Sequence, residues 1–232
     1  MKMLNGRLHE LCTSNKRGYE FTFLTANQEN RILHMVSCTK QDTMYYGESV
    51  YLRAMEMSDL DNIMKYWNTY ETRQFLGPAI PMSRNNEMTW LERATKYNPF
   101  RDGEMVLAII DKKNGDFLGT CGISGISPGA DHGEFGIAIH NPDNLSKGYG
   151  TDATKVMLWV GFNILGLHSI YLRAFSHNKR AIRAYEKAGF KMAGTFREHV
   201  FSEGRFHDHI IMDITAGEFF ETYPPGTHIG QA

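Results

Sequence analysis

The chain has 232 residues, 42% of them hydrophobic, and a formal net charge of −1. That length and composition suit one globular domain with a full core plus an appendage, and argue against disorder. The balanced charge gives no support for a nucleic-acid binder. With no run of 18 apolar residues, no membrane-spanning helix is expected.

The first residues, Met1 to Arg7, lack a hydrophobic signal region. Cys12, Cys38 and Cys121 are odd in number and form no C-x-x-C pair, which fits a reducing, cytoplasmic setting and gives no zinc site. Within residues 1–47, Tyr19 to Leu24 and Arg31 to Val36 read as strands around a turn at Thr25 to Asn30. This β-hairpin extension serves packing in the simplest reading. Covering a sheet edge, a homodimer contact, or closure over a site are the alternatives.

The main domain, 48–221, opens with a strand at Ser49 to Arg53. Ser58 can cap a helix to about Thr69, with Leu60, Ile63, Met64 and Trp67 on one face. Tyr70 to Met82 carries Gly77, Pro78 and Pro81 and reads as a loop; Ser83 then opens a helix to about Tyr97. Strands follow at Met105 to Ile110 and Phe117 to Ile126, joined at Lys113-Asn114-Gly115, where Asn-Gly favours a primed hairpin turn. Gly133 to His140 is a fourth strand, and a helix runs from the next loop to about Leu165. Ser169 to Phe175 is a strand and Lys179 to Ala188 a helix. Lys191 to Phe196 and Phe206 to Ile214 close as an antiparallel pair; the tail, 222–232, is rich in Pro and Gly and expected to be loose. The order reads as α/β, with a mixed, mostly antiparallel sheet flanked by helices.

The most informative stretch is Asp143-Asn144-Leu145-Ser146-Lys147-Gly148-Tyr149-Gly150-Thr151, which runs straight into the apolar helix Asp152 to Val160. Strand, glycine loop and helix start together make an anion cradle. The first helical N–H groups lack partners, the dipole favours negative charge, and glycines admit a phosphate close to the main chain. Neither Gly-x-x-x-x-Gly-Lys-Ser/Thr nor Gly-x-Gly-x-x-Gly is present after the strand. A second segment, Asn178-Lys179-Arg180-Ala181-Ile182-Arg183-Ala184-Tyr185-Glu186-Lys187-Ala188-Gly189-Phe190, begins 30 residues after Gly148. Asn178 suits its N-cap and Gly189 its stop.

In order and spacing, these two segments resemble the GNAT superfamily of acyl-CoA-dependent N-acetyltransferases, from about Val50 to Asp213. Tyr66-Trp67-Asn68 and Gln74-Phe75-Leu76-Gly77 look like the ribosomal-protein N-terminal acetyltransferase (RimJ/RimL) branch. One departure stands out. Leu145 occupies the Arg or Gln position of the family's phosphate loop, so only main-chain contacts are expected there.

The resemblance implies acetyl-CoA as cosubstrate, no metal, and transfer of an acetyl group to a primary amine by direct attack. The acceptor is a protein N-terminal α-amine or a small amine such as a polyamine or an amino sugar. A non-catalytic acyl-CoA-binding module is the alternative. Implied cofactor contacts are Ile137, Ala138, Ile139, Ser146, Lys147, Gly148, Tyr149, Gly150, Thr151, Asn178 and Arg180, with Lys179 and Arg183 as further phosphate partners. Asn178 can instead simply cap its helix. Ile139 or a neighbour would give an N–H to the thioester oxygen.

An acceptor amine must be neutral to attack, yet lysine-like amines have a pKa of about 10.4. Glu134 is the candidate base; alternatively it faces solvent or pairs with an arginine. Tyr185 is the candidate acid for the departing thiolate; alternatively it is a packed helix tyrosine sharing a face with Ile182 and Gly189. Trp67, Tyr70 and Phe75 would belong to the core or wall the acceptor pocket, and for a basic ribosomal-protein acceptor Glu48, Glu56, Asp59, Asp61 and Glu71 would form an acidic approach. His207-Asp208-His209 puts two histidines on one strand face, too few for a metal site.

Overall fold

In the computed structural model, which describes residues 45–77, 79–126, 131–227 and 229, eight strands form one mixed sheet. The hairpin expected within 19–36 lies outside these residues. The strands are β1 (Tyr45–Tyr46), β2 (Val50–Ala54), β3 (Met105–Asp111), β4 (Phe117–Ser124), β5 (His132–Ile139), β6 (Ser169–Phe175), β7 (Lys191–Ser202) and β8 (Arg205–Thr215). Their spatial order is β1-β2-β3-β4-β5-β6-β8-β7. Every pair is antiparallel except β5 with β6.

The helices are α1 (Leu60–Trp67), α2 (Tyr70–Arg73), α3 (Arg84–Ala94), α4 (Pro99–Asp102), α5 (Tyr149–Asn163), α6 (Lys179–Ala188) and α7 (Ala216–Thr222). They cover both faces of the sheet. Alternation along β3 sends Leu107 and Ile109 into the larger core with α5, α6 and α7, and Ala108 and Ile110 into a smaller one with α1 and α3. In α5, 10 of 15 residues are buried, so it has no polar face and reads as a core helix. Fully burying one such aliphatic side chain is worth about 1.5–3 kcal/mol.

Local chemistry shifts several boundaries. Ser58 does not cap α1. A 3-10 turn, Met57–Asp59, precedes it, entered through a reciprocal pair between Glu56 and Asp59. The loop after Tyr70 begins with the short helix α2. Ser83 does cap α3, its Oγ accepting from Asn86 N at 3.1 Å. The β3–β4 hairpin has only Gly115 left-handed, at φ 77°, and Gly115 N donates to Asp111 O. The turn is longer than the primed two-residue type, since Asp111 N donates to Asp116 O across Lys112 to Gly115. Strands β7 and β8 run nearly to their connecting turn at Glu203-Gly204 and are longer than expected. Helix α7 follows β8 through a Thr215–Glu218 capping box, visible in the sequence as Thr-x-x-Glu. Beyond it, Thr227 O accepts from Trp159 Nε1 at 2.6 Å and Ile229 packs on the larger core, which holds part of the tail expected to be loose.

One buried carboxylate ties the first strands to α5. Asp152, in the first turn of that helix, accepts from Glu48 N, Ser49 N, Ser49 Oγ and Val50 N at 2.7–3.0 Å. Gly47 passes so close that a Cβ there would lie 2.5 Å from Asp152 Oδ1. Tyr149 OH donates to Asp111 Oδ2 at 2.8 Å, so the same turn is also held to the end of β3. Among the described residues, no helix is long and apolar enough to cross a membrane.

Candidate active site

The site begins with a fault in the sheet. Parallel pairing between β5 and β6 covers only His132, Gly133 and Glu134 against Ser169, Ile170 and Tyr171. Beyond Glu134 the two strands part, while β5 stays paired with β4 as far as Ile139. His140 N donates to Leu118 O on β4, so the narrow pairs of that ladder fall on His140, Ala138 and Gly136. The main-chain groups of Ile137 and Ile139 therefore face the gap. Those of Ala138, expected to hold the cofactor arm, are turned to β4 instead.

The gap leads to the N-terminus of α5. Gly148 is its N-cap at φ 93°, and Ser146 is also left-handed at φ 61°. A Cβ on Gly148 would meet no protein atom within 4 Å, while its φ lies in the left-handed region that favours glycine. The N–H groups of Tyr149, Gly150 and Thr151 lack intrahelical acceptors by their position in the first turn.

A cleft of about 660 Å³ joins these features. It is lined by Ile137, Ala138 and Ile139 from β5, by Ser146, Gly148, Gly150 and Thr151 at the helix start, and by Asn178, Arg180 and Tyr185 from α6. Glu134 and Phe75 line it too. Other expected residues point elsewhere. Lys147 Nζ donates to Asn144 Oδ1 at 3.2 Å, and Tyr149 is turned to Asp111. Trp67 packs against His140, the rings tilted by 38° with centroids 4.8 Å apart. Tyr70 hydrogen-bonds Glu203 in the β7–β8 turn. Of the acidic approach only Glu71 lines the cleft. Asp59 is buried under Arg53 at 2.6 Å, and Asp61 pairs with Arg84 at 2.6 Å.

Glu134 is not free. Arg173 Nε and Nη2 donate to its two oxygens at 2.7 and 2.9 Å, and Tyr171 OH lies 3.4 Å from Oε2. Tyr185 is half-buried, edge-on to Phe135 at 6.3 Å, and burial pushes its hydroxyl up to about 12. It therefore remains a proton donor throughout the neutral range. Asn178 Oδ1 accepts from Ala181 N at 3.2 Å, so it caps α6 while lining the cleft.

Sequence reasoning missed Thr72, Arg173, Phe175 and His209 as lining residues. Thr72 Oγ1 donates to His140 O at 3.1 Å and so joins α2 to the end of β5. Strand alternation gives the available signal. Arg173 and Phe175 fall on the face of Tyr171, which is paired with Glu134.

The residues fit coenzyme A: a helix start for phosphates, a gap with free main-chain donors for an amide-bearing arm, and arginines of α6 along one wall. Among the described residues, no group of three or more metal-ligating side chains occurs.

Known proteins agree with this geometry. The chain is 27% identical over 192 residues to the spermidine N(1)-acetyltransferase of Escherichia coli K12, a match spanning 78% of this chain and 94% of the relative. It is 24% identical over 180 residues to an uncharacterized N-acetyltransferase of Bacillus licheniformis, spanning 75% and 97%. The crystal structure of spermidine N-acetyltransferase from Vibrio cholerae, in complex with CoA and spermine, superposes with a TM-score of 0.67 at 26% identity, over 74% of this chain and 98% of that one. The acetyltransferase (GNAT) domain family matches residues 49–191, which include the helix-start loop, the sheet gap and α6, and the chain belongs to that family of N-acetyltransferases.

Proposed function

We propose that the chain moves an acetyl group from acetyl-CoA to a primary amine of a small, polyamine-like acceptor by direct attack. The observation that carries this reading is the opening between β5 and β6 beside the N-terminus of α5, with Tyr185 on its wall. Acetyl-CoA supplies an activated thioester. Main-chain N–H groups of the first turn of α5 hold its phosphates, joined by Arg180 and Arg183 on the cleft wall. Ile137 and Ile139 turn donors into the gap, where charge develops on the thioester oxygen. Tyr185 gives its proton to the departing sulfur.

The acceptor enters at the end lined by Glu71, Phe75 and Glu134. The carboxylate of Glu71 beside the aromatic wall of Phe75 suits a cationic, flexible amine. The named activities of the Escherichia coli and Vibrio cholerae relatives support a polyamine over a protein N-terminus.

Calorimetric titration with acetyl-CoA, followed by CoA release over a panel of spermidine, spermine, an amino sugar and an N-terminal peptide, tests the proposal. The parent should bind, Gly148→Glu should not, and polyamines should lead the panel. Tight binding with no release for any amine would favour a non-catalytic acyl-CoA module. Tyr185→Phe should lower kcat by about 100-fold with cofactor affinity unchanged.

A further inference from the structure

Glu134 leaves the proton-acceptor role open. Arg173 donates to both of its oxygens and Tyr171 OH lies 3.4 Å from one of them, so the carboxylate is already engaged by two neighbours. The same cleft presents another base. His209 on β8 pairs with Phe175 on β6, which puts it on the sheet face of Phe175, Arg173, Tyr171 and Glu134. It lines the cleft, and its ring stands edge-on to Phe175 at 4.9 Å.

The Nδ1 atom of His209 is buried and has no hydrogen-bond partner among the described residues. The other histidine of its pair is turned away. His207 Nε2 lies 3.2 Å from Ser202 O, and its ring is 4.4 Å from that of His177. The charged and titratable groups around His209 are His199 on β7, Arg173 on β6 and Glu134 on β5. Burial, then His199 and Arg173, hold its imidazole below the ordinary value, while Glu134 opposes them. Held below its ordinary value, His209 favours the neutral imidazole, one of whose ring nitrogens then carries a proton-accepting lone pair.

We propose that His209 accepts the proton of the acceptor ammonium; the inference rests on amine acetylation as proposed above. The ammonium gives one proton to the imidazole, which becomes imidazolium and later returns it to solvent. The freed nitrogen lone pair forms the N–C bond to the thioester carbonyl. The C–S bond breaks with its electron pair going to sulfur. Tyr185 protonates the sulfur, and the second proton lost from the nitrogen restores the tyrosine. The products are amide, thiol and one released proton. Arg173 and Glu134 neutralise each other on the cleft floor and orient the amine, so Glu134 acts as a positioning residue.

The test compares the parent with His209→Gln and Glu134→Gln, with His209→Asn available should the glutamine variant fail to fold. In the parent, kcat/KM should fall on the acid side with a midpoint below pH 6.5, unmoved when the acceptor is replaced by an amine of lower pKa. His209→Gln should lower kcat about 100-fold, erase that limb and keep its calorimetric affinity for CoA. Glu134→Gln should keep the limb and raise KM for the amine. A readout free of turnover is the imidazole proton resonance missing from His209→Gln. In the parent it should titrate below pH 6.5 and shift when spermidine joins the CoA complex. A limb that persists in active His209→Gln, or a resonance indifferent to spermidine, overturns the proposal alone. A folded, CoA-binding parent that acetylates no amine overturns the acetyltransferase reading, and this proposal with it.

Discussion

Replacing Asp152 by Ala tests how the sheet holds the cofactor helix in place. Its carboxylate accepts three N–H groups and one hydroxyl at 2.7–3.0 Å, and Asp152 is only 8% exposed. Val50 is fully buried, so its N–H would lose its acceptor with no water to take over, at about 1–3 kcal/mol. The donors of Glu48 and Ser49 are partly reached by water and cost roughly 1 kcal/mol between them. The sum is about 3 kcal/mol. For a domain of this size that lowers Tm by roughly 6–12 °C. Ser49→Ala removes one of the four bonds and should cost no more than about 1 kcal/mol. Calorimetric melting of both variants measures the difference, and titration with CoA at 25 °C shows whether a loosened first turn weakens binding. An Asp152→Ala protein that melts within about 2 °C of the parent would refute the reasoning, because the four bonds would then be exchanged for water without loss.

Three further outcomes follow from the same contacts. His140 is buried with both ring nitrogens unpartnered among the described residues, and burial pushes it down to about 4 from 6.5. Only the unfolded chain takes up its proton between these values, so stability is full above pH 6.5 and declines as pH falls towards 4, by about 3 kcal/mol from this group; urea melts at several pH values should show a flatter slope for His140→Leu. Gly148→Ala puts a side chain at φ 93° in otherwise open space, and should cost about 1–2 kcal/mol and weaken CoA binding in isothermal titration. Burial raises the Cys121 thiol well above its usual range, so in a Cys12→Ser, Cys38→Ser background a disulfide reagent should find no reactive thiol until urea unfolds the domain.

Much of the fold was legible because its signals are local. Ser83, Asn178 and Gly189 announce helix ends whose bonds close within three or four residues. Gly148 was legible as a residue without a side chain at a helix start, but its left-handed N-cap conformation was not. The short helix α2 was hidden, since Gly77, Pro78 and Pro81 nearby suggest a loop throughout. The candidate site was legible along β5 and α6, where motif and geometry share a segment. It was not legible across strands. Nothing near Glu134 in sequence announces Arg173, 39 residues away, as its partner. His209 drew notice beside His207 as half of a metal pair, yet register with β6 gives it its place on the cleft wall. Trp67 and Tyr70 show the converse: of the two readings Trp67 takes the core one, against His140, and Tyr70 reaches Glu203 in a turn far away in sequence.

The parted strands also carry a kinetic signature. Beyond Glu134, β5 has an outer rim in the middle of a sheet, so the amides of Ile137 and Ile139 have no carbonyl across from them while those of Ala138 and His140 do. Deuterium uptake should therefore alternate along one strand: fast at 137 and 139, slow at 138 and 140. Filling the opening with CoA should silence the alternation without moving any strand. The same ligand would then act as a removable partner strand, and its departure would leave labile amides inside the central sheet.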